Sequence, residues 1–190
     1  MRSALHDLAN VLAGVRGIID LSNPEQPLSP RDRLRLDAVI EEGMTTLDRS
    51  RSLAMGTLPE SALEPGPEWR RQLLEDLTPL GLLFRCRFTL DYEGTATCDR
   101  WPGELLRGYI RAVTRQVLPY VHDGGMALAC SADDREWQVR WSPVPMLPES
   151  LVVEGKQLDI SSRWALRVGT SLMANLSCAD GILLMRMPRF

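Results

Sequence analysis

The sequence is poor in the residues that build metal and redox centres. It has four cysteines and two histidines among 190 residues. Cys86, Cys98, Cys130 and Cys178 are too widely spaced to form a Cys-x-x-Cys pair, so a zinc ribbon or a thioredoxin-like site is excluded. Buried free thiols are the remaining reading. Basic charge is not in excess either: 22 Lys and Arg stand against 25 Asp and Glu, for a net charge of −3, and the arginines are scattered among acids. That balance argues against a nucleic-acid-binding face. No run approaches the ~20 apolar residues needed to cross a bilayer, and no charged and then apolar leader precedes the first amphipathic pattern. We therefore expect a cytoplasmic protein that binds neither nucleic acid nor membrane. There is no Gly-x-Ser-x-Gly element and no distinguished pair of carboxylates, so hydrolase chemistry has no signature. Internal repeats and low-complexity tracts are absent. With 44% hydrophobic and 25% charged residues, the chain is nonetheless too apolar to stay disordered.

Proline is plentiful, and it divides the chain. Residues 4–22 place Leu5, Leu8, Leu12, Val15 and Ile19 at alternating spacings of three and four, which predicts a helix with a narrow apolar seam. NPEQPLSP at 23–30 breaks that helix. Ser29 then offers an N-cap, Pro30 a first helical residue that needs no N–H, and Asp32 the acid of a capping box. The second helix, from Arg31 to about Met55, carries a seam of Leu36, Ile40, Gly43 or Met44, and Leu47. The two helices form an antiparallel hairpin. A lone hairpin of ~50 residues buries too little surface to be stable, so we expect two chains to pair as a homodimeric four-helix bundle.

GTLPESALEPGP at 56–67 reads as a linker. After it the pattern is helix (Trp69 to about Leu83), strand (86–94), short strand (95–99), helix (Glu104 to Val121), a hairpin of strands over 126–143 with an acidic turn, helix (158–175), and two closing strands near 174–177 and 182–187. This order predicts a mixed sheet with helices on one face. The fold class is therefore α+β: a helical hairpin over residues 1–57, followed by an α/β sandwich over 68–190. His122-Asp123-Gly124-Gly125 reads as a helix stop. The five tryptophans, all in the second half, read as core or as a patch against the hairpin.

The chemically sharpest feature is His6-Asp7-x-x-Asn10. On a helix His6 and Asn10 lie one turn apart on one face, with Asp7 at its border. Leu5 belongs to the seam, so His6 flanks it. A lone histidine there is an ordinary surface residue, but an adjacent carboxylate can fix its tautomer and leave the other ring nitrogen a neutral nucleophile near pH 7. Phosphoryl transfer to such a nitrogen needs mainly positioning and charge neutralisation.

LHDLANVLAGVRGIIDL resembles the phosphoacceptor helix of two-component histidine kinases. The proline-rich turn and the second helix, ending LDRSRSLAMG, resemble the rest of their dimerisation domain. CDRWPGELLRGYIRAVTRQVLPYVHDGG is similar to the segment that carries the kinase asparagine box, but Ala112 and Gln116 stand where its asparagines belong. QVRWSPVPMLPES replaces the Asp-x-Gly-x-Gly loop, and the glycine-rich lid is reduced to Gly155 and Gly169. Without such loops, backbone N–H groups cannot cradle phosphates. The combination resembles ChpT-type histidine phosphotransferases, with a degenerate ATPase-like domain. That resemblance implies His6 as phosphoacceptor, Asp7 as its orienting or acid/base neighbour, and Asn10 at the position that aligns a hydrolytic water. It implies no cofactor bound by this chain, with Mg2+ brought by a partner receiver domain. Response-regulator receivers and a hybrid histidine kinase are the partners it implies. The alternative is an inactive kinase-like binding module that sequesters or scaffolds a response regulator or kinase.

Overall fold

The computed structural model describes residues 2–21, 27–58, 62–94, 100–121, 124–146, 148–151 and 158–189; the side chains of 2–10, 21, 93, 94 and 149 lie outside that description. The chain opens with two helices, α1 (Arg2–Leu21) and α2 (Pro30–Met55). Ser29 caps α2 as its sequence predicts: its hydroxyl oxygen accepts from the Asp32 N–H at 3.1 Å, and its O–H donates to the Asp32 carboxylate. Gly56 ends α2 in the left-handed region, at φ 72°. The helices approach closely where glycine permits it. A Cβ on Gly43 would lie 2.7 Å from the Val11 side chain, and one on Gly14 would lie 3.3 Å from that of Val39.

The stretch read as a linker is partly structured. Leu63–Pro65 forms a short strand, β1, paired antiparallel with β3 (Arg100–Pro102). The following helix, α3 (Gly66–Phe84), starts three residues earlier than its apolar pattern suggests. Trp69 and Trp101 hold this corner: their rings stack with centroids 4.5 Å apart, and the Trp69 indole N–H donates to the Pro102 carbonyl at 2.7 Å. The short strand expected at 95–99 lies outside the described residues.

The main sheet has five strands in the order β2 (Arg87–Gly94), β4 (Gly125–Ala132), β5 (Glu136–Ser142), β7 (Ile182–Pro188) and β6 (Asn175–Ala179). The β2–β4 pair is parallel and the rest are antiparallel. The registers align buried side chains into rows: Leu90, Leu128, Trp141 and Leu183 in one, Cys130, Val139 and Met185 in the next. Alternate residues face the other way and stay wetter, as the strand period requires. Helices α3, α4 (Glu104–Val117) and α5 (Ile160–Ser171) complete the layer. Their buried Leu73, Leu77, Leu106, Ile110, Val113 and Val168 belong to the same core as the sheet rows. All five tryptophans are buried. Among the described residues no helix is long and apolar enough to cross a membrane.

Among the described residues, part of each seam expected of the hairpin stays exposed. Leu12, Ile19, Ile40, Met44 and Leu47 remain between 46% and 60% exposed. The side of α2 that is buried is the polar one, carrying Ala38, Glu42, Thr46 and Arg49. It packs against α3 and α5.

Candidate functional site

His6, Asp7 and Asn10 lie on α1, within its first three turns; their side chains are outside the described residues. Their backbone position follows from the hairpin. Val11 meets Gly43 and Val39 meets Gly14. Continued along the antiparallel pair, that register sets the backbone of His6 opposite Leu47 and Asp48. The histidine thus stands level with the C-terminal half of α2, where α2 is anchored to the sandwich.

That anchor is a buried ion network. Glu42 is 6% exposed. One of its carboxylate oxygens accepts from Arg111 at 2.9 Å, and the other is ion-paired with the Arg115 Nε at 2.9 Å. Arg115 also reaches Asp159 at 3.3 Å. One turn beyond Thr46, Arg49 donates to the Ser161 hydroxyl at 3.0 Å and to the Gly108 carbonyl at 3.3 Å, and its guanidinium lies over the Trp164 ring, 5.0 Å from the centroid. Burial pulls the Arg49 pKa down to about 10, against the opposing pull of Glu42, so Arg49 stays cationic at neutral pH. Gly108 is required at this crossing: a Cβ there would come within 2.9 Å of Trp164. At the end of α2, Arg167 donates to the Gly56 carbonyl. Buried charge survives only when paired and hydrogen-bonded, and here three helices, α2, α4 and α5, supply the partners.

Sequence reasoning missed Glu42, Arg49, Arg111 and Arg115. The signal was a charged stripe at helical spacing on each of two helices, Glu42 and Arg49 on α2, interleaved with Ala38, Gly43 and Thr46, and Arg111 and Arg115 on α4, which an apolar search reads as solvent faces.

The region matched to nucleotide motifs is internally tied. Ala112 is fully buried. The Gln116 amide donates to Asp159 at 3.3 Å, and its carbonyl accepts from the Ser150 hydroxyl at 3.0 Å. Asp159 caps α5 through the Ser162 N–H at 2.6 Å. Burial would raise the Asp159 carboxyl, but the Ser162 N–H and the Arg115 charge outweigh it and hold the pKa below the ordinary range. QVRWSPVPMLPES begins as strand rather than loop: Gln138–Ser142 complete β5, and Trp141, fully buried, donates its indole N–H to Thr114 of α4 at 2.8 Å. Residues 152–157 of the reduced lid, and His122 and Asp123 of the stop signal, lie outside the described residues. Among the described residues no three His, Cys, Asp or Glu side chains converge on a position where a metal ion could sit.

Comparison with solved structures places this arrangement. The chain is similar to the Acinetobacter baumannii histidine kinase AdeS, with a TM-score of 0.55 over 98% of this chain and 95% of that one, at 14% identity. The fold is histidine-kinase-like. A bacterial phosphotransferase is similar over 97% of this chain and 91% of its own, with a TM-score of 0.53 and 9% identity. Both likenesses span hairpin and sandwich, and the five-stranded mixed sheet resembles a histidine kinase ATP-binding domain. No family model matches the sequence, and no curated protein is similar enough to it to count as a relative.

Proposed function

We propose that the chain is a cytoplasmic histidine phosphotransferase of a two-component phosphorelay. The carrying observation is the pairing of a His6-Asp7-x-x-Asn10 helix, at the head of a kinase-like hairpin, with a kinase-like sandwich whose asparagine-box positions hold Ala112 and Gln116. The neutral imidazole of His6 attacks the phosphorus of a receiver's aspartyl phosphate. The P–N bond forms as the P–O bond to the carboxylate breaks, and the carboxylate leaves as the anion. The reverse step passes the group to a second receiver aspartate. Asp7 orients the imidazole by accepting from its other nitrogen, and Asn10 supports slow hydrolysis by aligning a water. Mg2+ comes with the receiver, which neutralises the transferring oxygens. In this reading the chain itself binds no nucleotide, which the engagement of Gln116 with Asp159 and Ser150 and the burial of Trp141 support.

The exposed seam of Leu12, Ile19, Ile40, Met44 and Leu47 supports a homodimer in which two hairpins form a four-helix bundle. Receiver domains, including that of a hybrid histidine kinase, dock on the His6 flank of that bundle. The test is to mix the protein with a phosphorylated receiver and Mg2+ without ATP. Acid-labile, base-stable label is expected on the wild type and absent from His6→Ala; label on both, or on neither with any cognate receiver, contradicts the reading.

A further inference from the structure

Away from His6, where the N-terminal end of α2 meets the end of α3 and the start of β2, two grooves share a wall. One, of about 220 Å3, is lined by Arg31, Leu34, Arg35, Gly81, Leu82 and Arg85. The other, of about 690 Å3, continues from Leu82 and Arg85 past Arg87 and Phe88. Four arginines therefore border two adjoining grooves with mostly apolar floors, on a chain whose net charge is −3. None of the four makes an ion pair with a carboxylate among the described residues. Of the acids on the same helices, Asp32 is bonded to Ser29 and Glu75 is paired with Arg71. The contrast with Arg107, Arg111 and Arg115, each paired with carboxylates, sets this group apart.

Arg85 adds an independent observation. It ends α3 with φ 55°, in the left-handed region, and its N–H closes the helix onto the Gly81 carbonyl. Glycine takes that position without cost, whereas a residue with a Cβ is strained there. The strained cap sets the Arg85 side chain on the shared wall of the two grooves.

We infer that these adjoining grooves are a docking surface for an acidic protein segment that carries apolar anchors. Leu34, 55% exposed, and Leu82 receive the apolar side chains, and the arginine forks take carboxylates bidentately. Nucleic acid fits less well. Phe88 is the one aromatic ring among the residues lining the two grooves, too few to stack successive bases, and the chain as a whole is acidic. The surface is separate from phosphoryl transfer and does not depend on it.

The test uses the full-length protein and a fluorescein-labelled amphipathic peptide of alternating Glu and Leu, with a Lys-for-Glu peptide and a single-stranded DNA oligonucleotide as controls, read by anisotropy. The Glu peptide is expected to bind, to weaken as salt rises, and to weaken about tenfold in Arg85→Gly, the loss of one charge-assisted contact. Arg85→Gly is expected to melt at the same temperature as wild type or higher, because the cap strain is relieved. Arg87→Gln, on the exposed face of an edge strand, gives the same loss by a route that leaves the cap untouched. Equal binding of the Lys peptide, tighter binding of DNA, no binding of the Glu peptide, or undiminished binding in both variants overturns the inference.

Discussion

Glu42 concentrates the chemistry of the hairpin's attachment in one side chain, since it accepts a hydrogen bond from Arg111 and forms an ion pair with Arg115, both on α4. Removing it strands Arg111, only 7% exposed, without its nearest counter-charge. Glu42→Ala is therefore expected to cost about 3 kcal/mol, the scale for leaving a buried charge unpaired, measured by urea unfolding. A loss below about 1 kcal/mol, the scale of a surface ion pair, would contradict the burial described for this site. Asp159 sets a pH dependence of defined sign. Its folded pKa is depressed, so its contribution to stability is fully present above the unfolded carboxyl pKa of about 4 and is lost as pH falls through the lower folded value. Wild-type stability is expected to fall more steeply below pH ~4 than that of Asp159→Asn, which keeps a capping side chain; unfolding midpoints across that range check it, and parallel curves would contradict it.

At the scale of elements, what could be read from the sequence was whatever announces itself locally. Ser29-Pro30 fixed the start of α2, because capping and proline chemistry act within three residues. β4, β5 and β7 were legible as alternation, because one buried face imposes period two. The pair β1 and β3 was not: three-residue strands containing proline carry no period, and what holds them, the stacking of Trp69 on Trp101 and the Trp69 bond to Pro102, joins residues more than 30 apart in sequence. Nor was the docking face of α2 legible, because the residues buried there are charged and their partners lie on α4 and α5. The apolar seam of α2 is legible as a stripe, yet Ile40, Met44 and Leu47 stay exposed among the described residues. If a second hairpin covers them, Leu47→Glu is expected to turn a dimer into a monomer of unchanged helix content, by light scattering and circular dichroism. A wild type that is monomeric at the same concentration would remove the four-helix bundle from the account.

For the whole molecule, the hairpin and sandwich behave as parts of one platform. The Glu42 and Arg49 contacts hold α2 against α4 and α5, and the β1–β3 pair ties down the chain between them. Phosphoryl transfer gains most from such fixed geometry, because positioning and charge stabilisation are nearly all that the reaction asks of the protein. A relay and a binding module would share this platform and differ only in turnover. The deciding measurement supplies a catalytic amount of the protein, with Mg2+ and no ATP, to a labelled phosphorylated donor receiver and an unlabelled acceptor receiver. The account predicts many turnovers of label into the acceptor with wild type and none with His6→Ala. Transfer that is no faster than without the protein, or unchanged in His6→Ala, would contradict it.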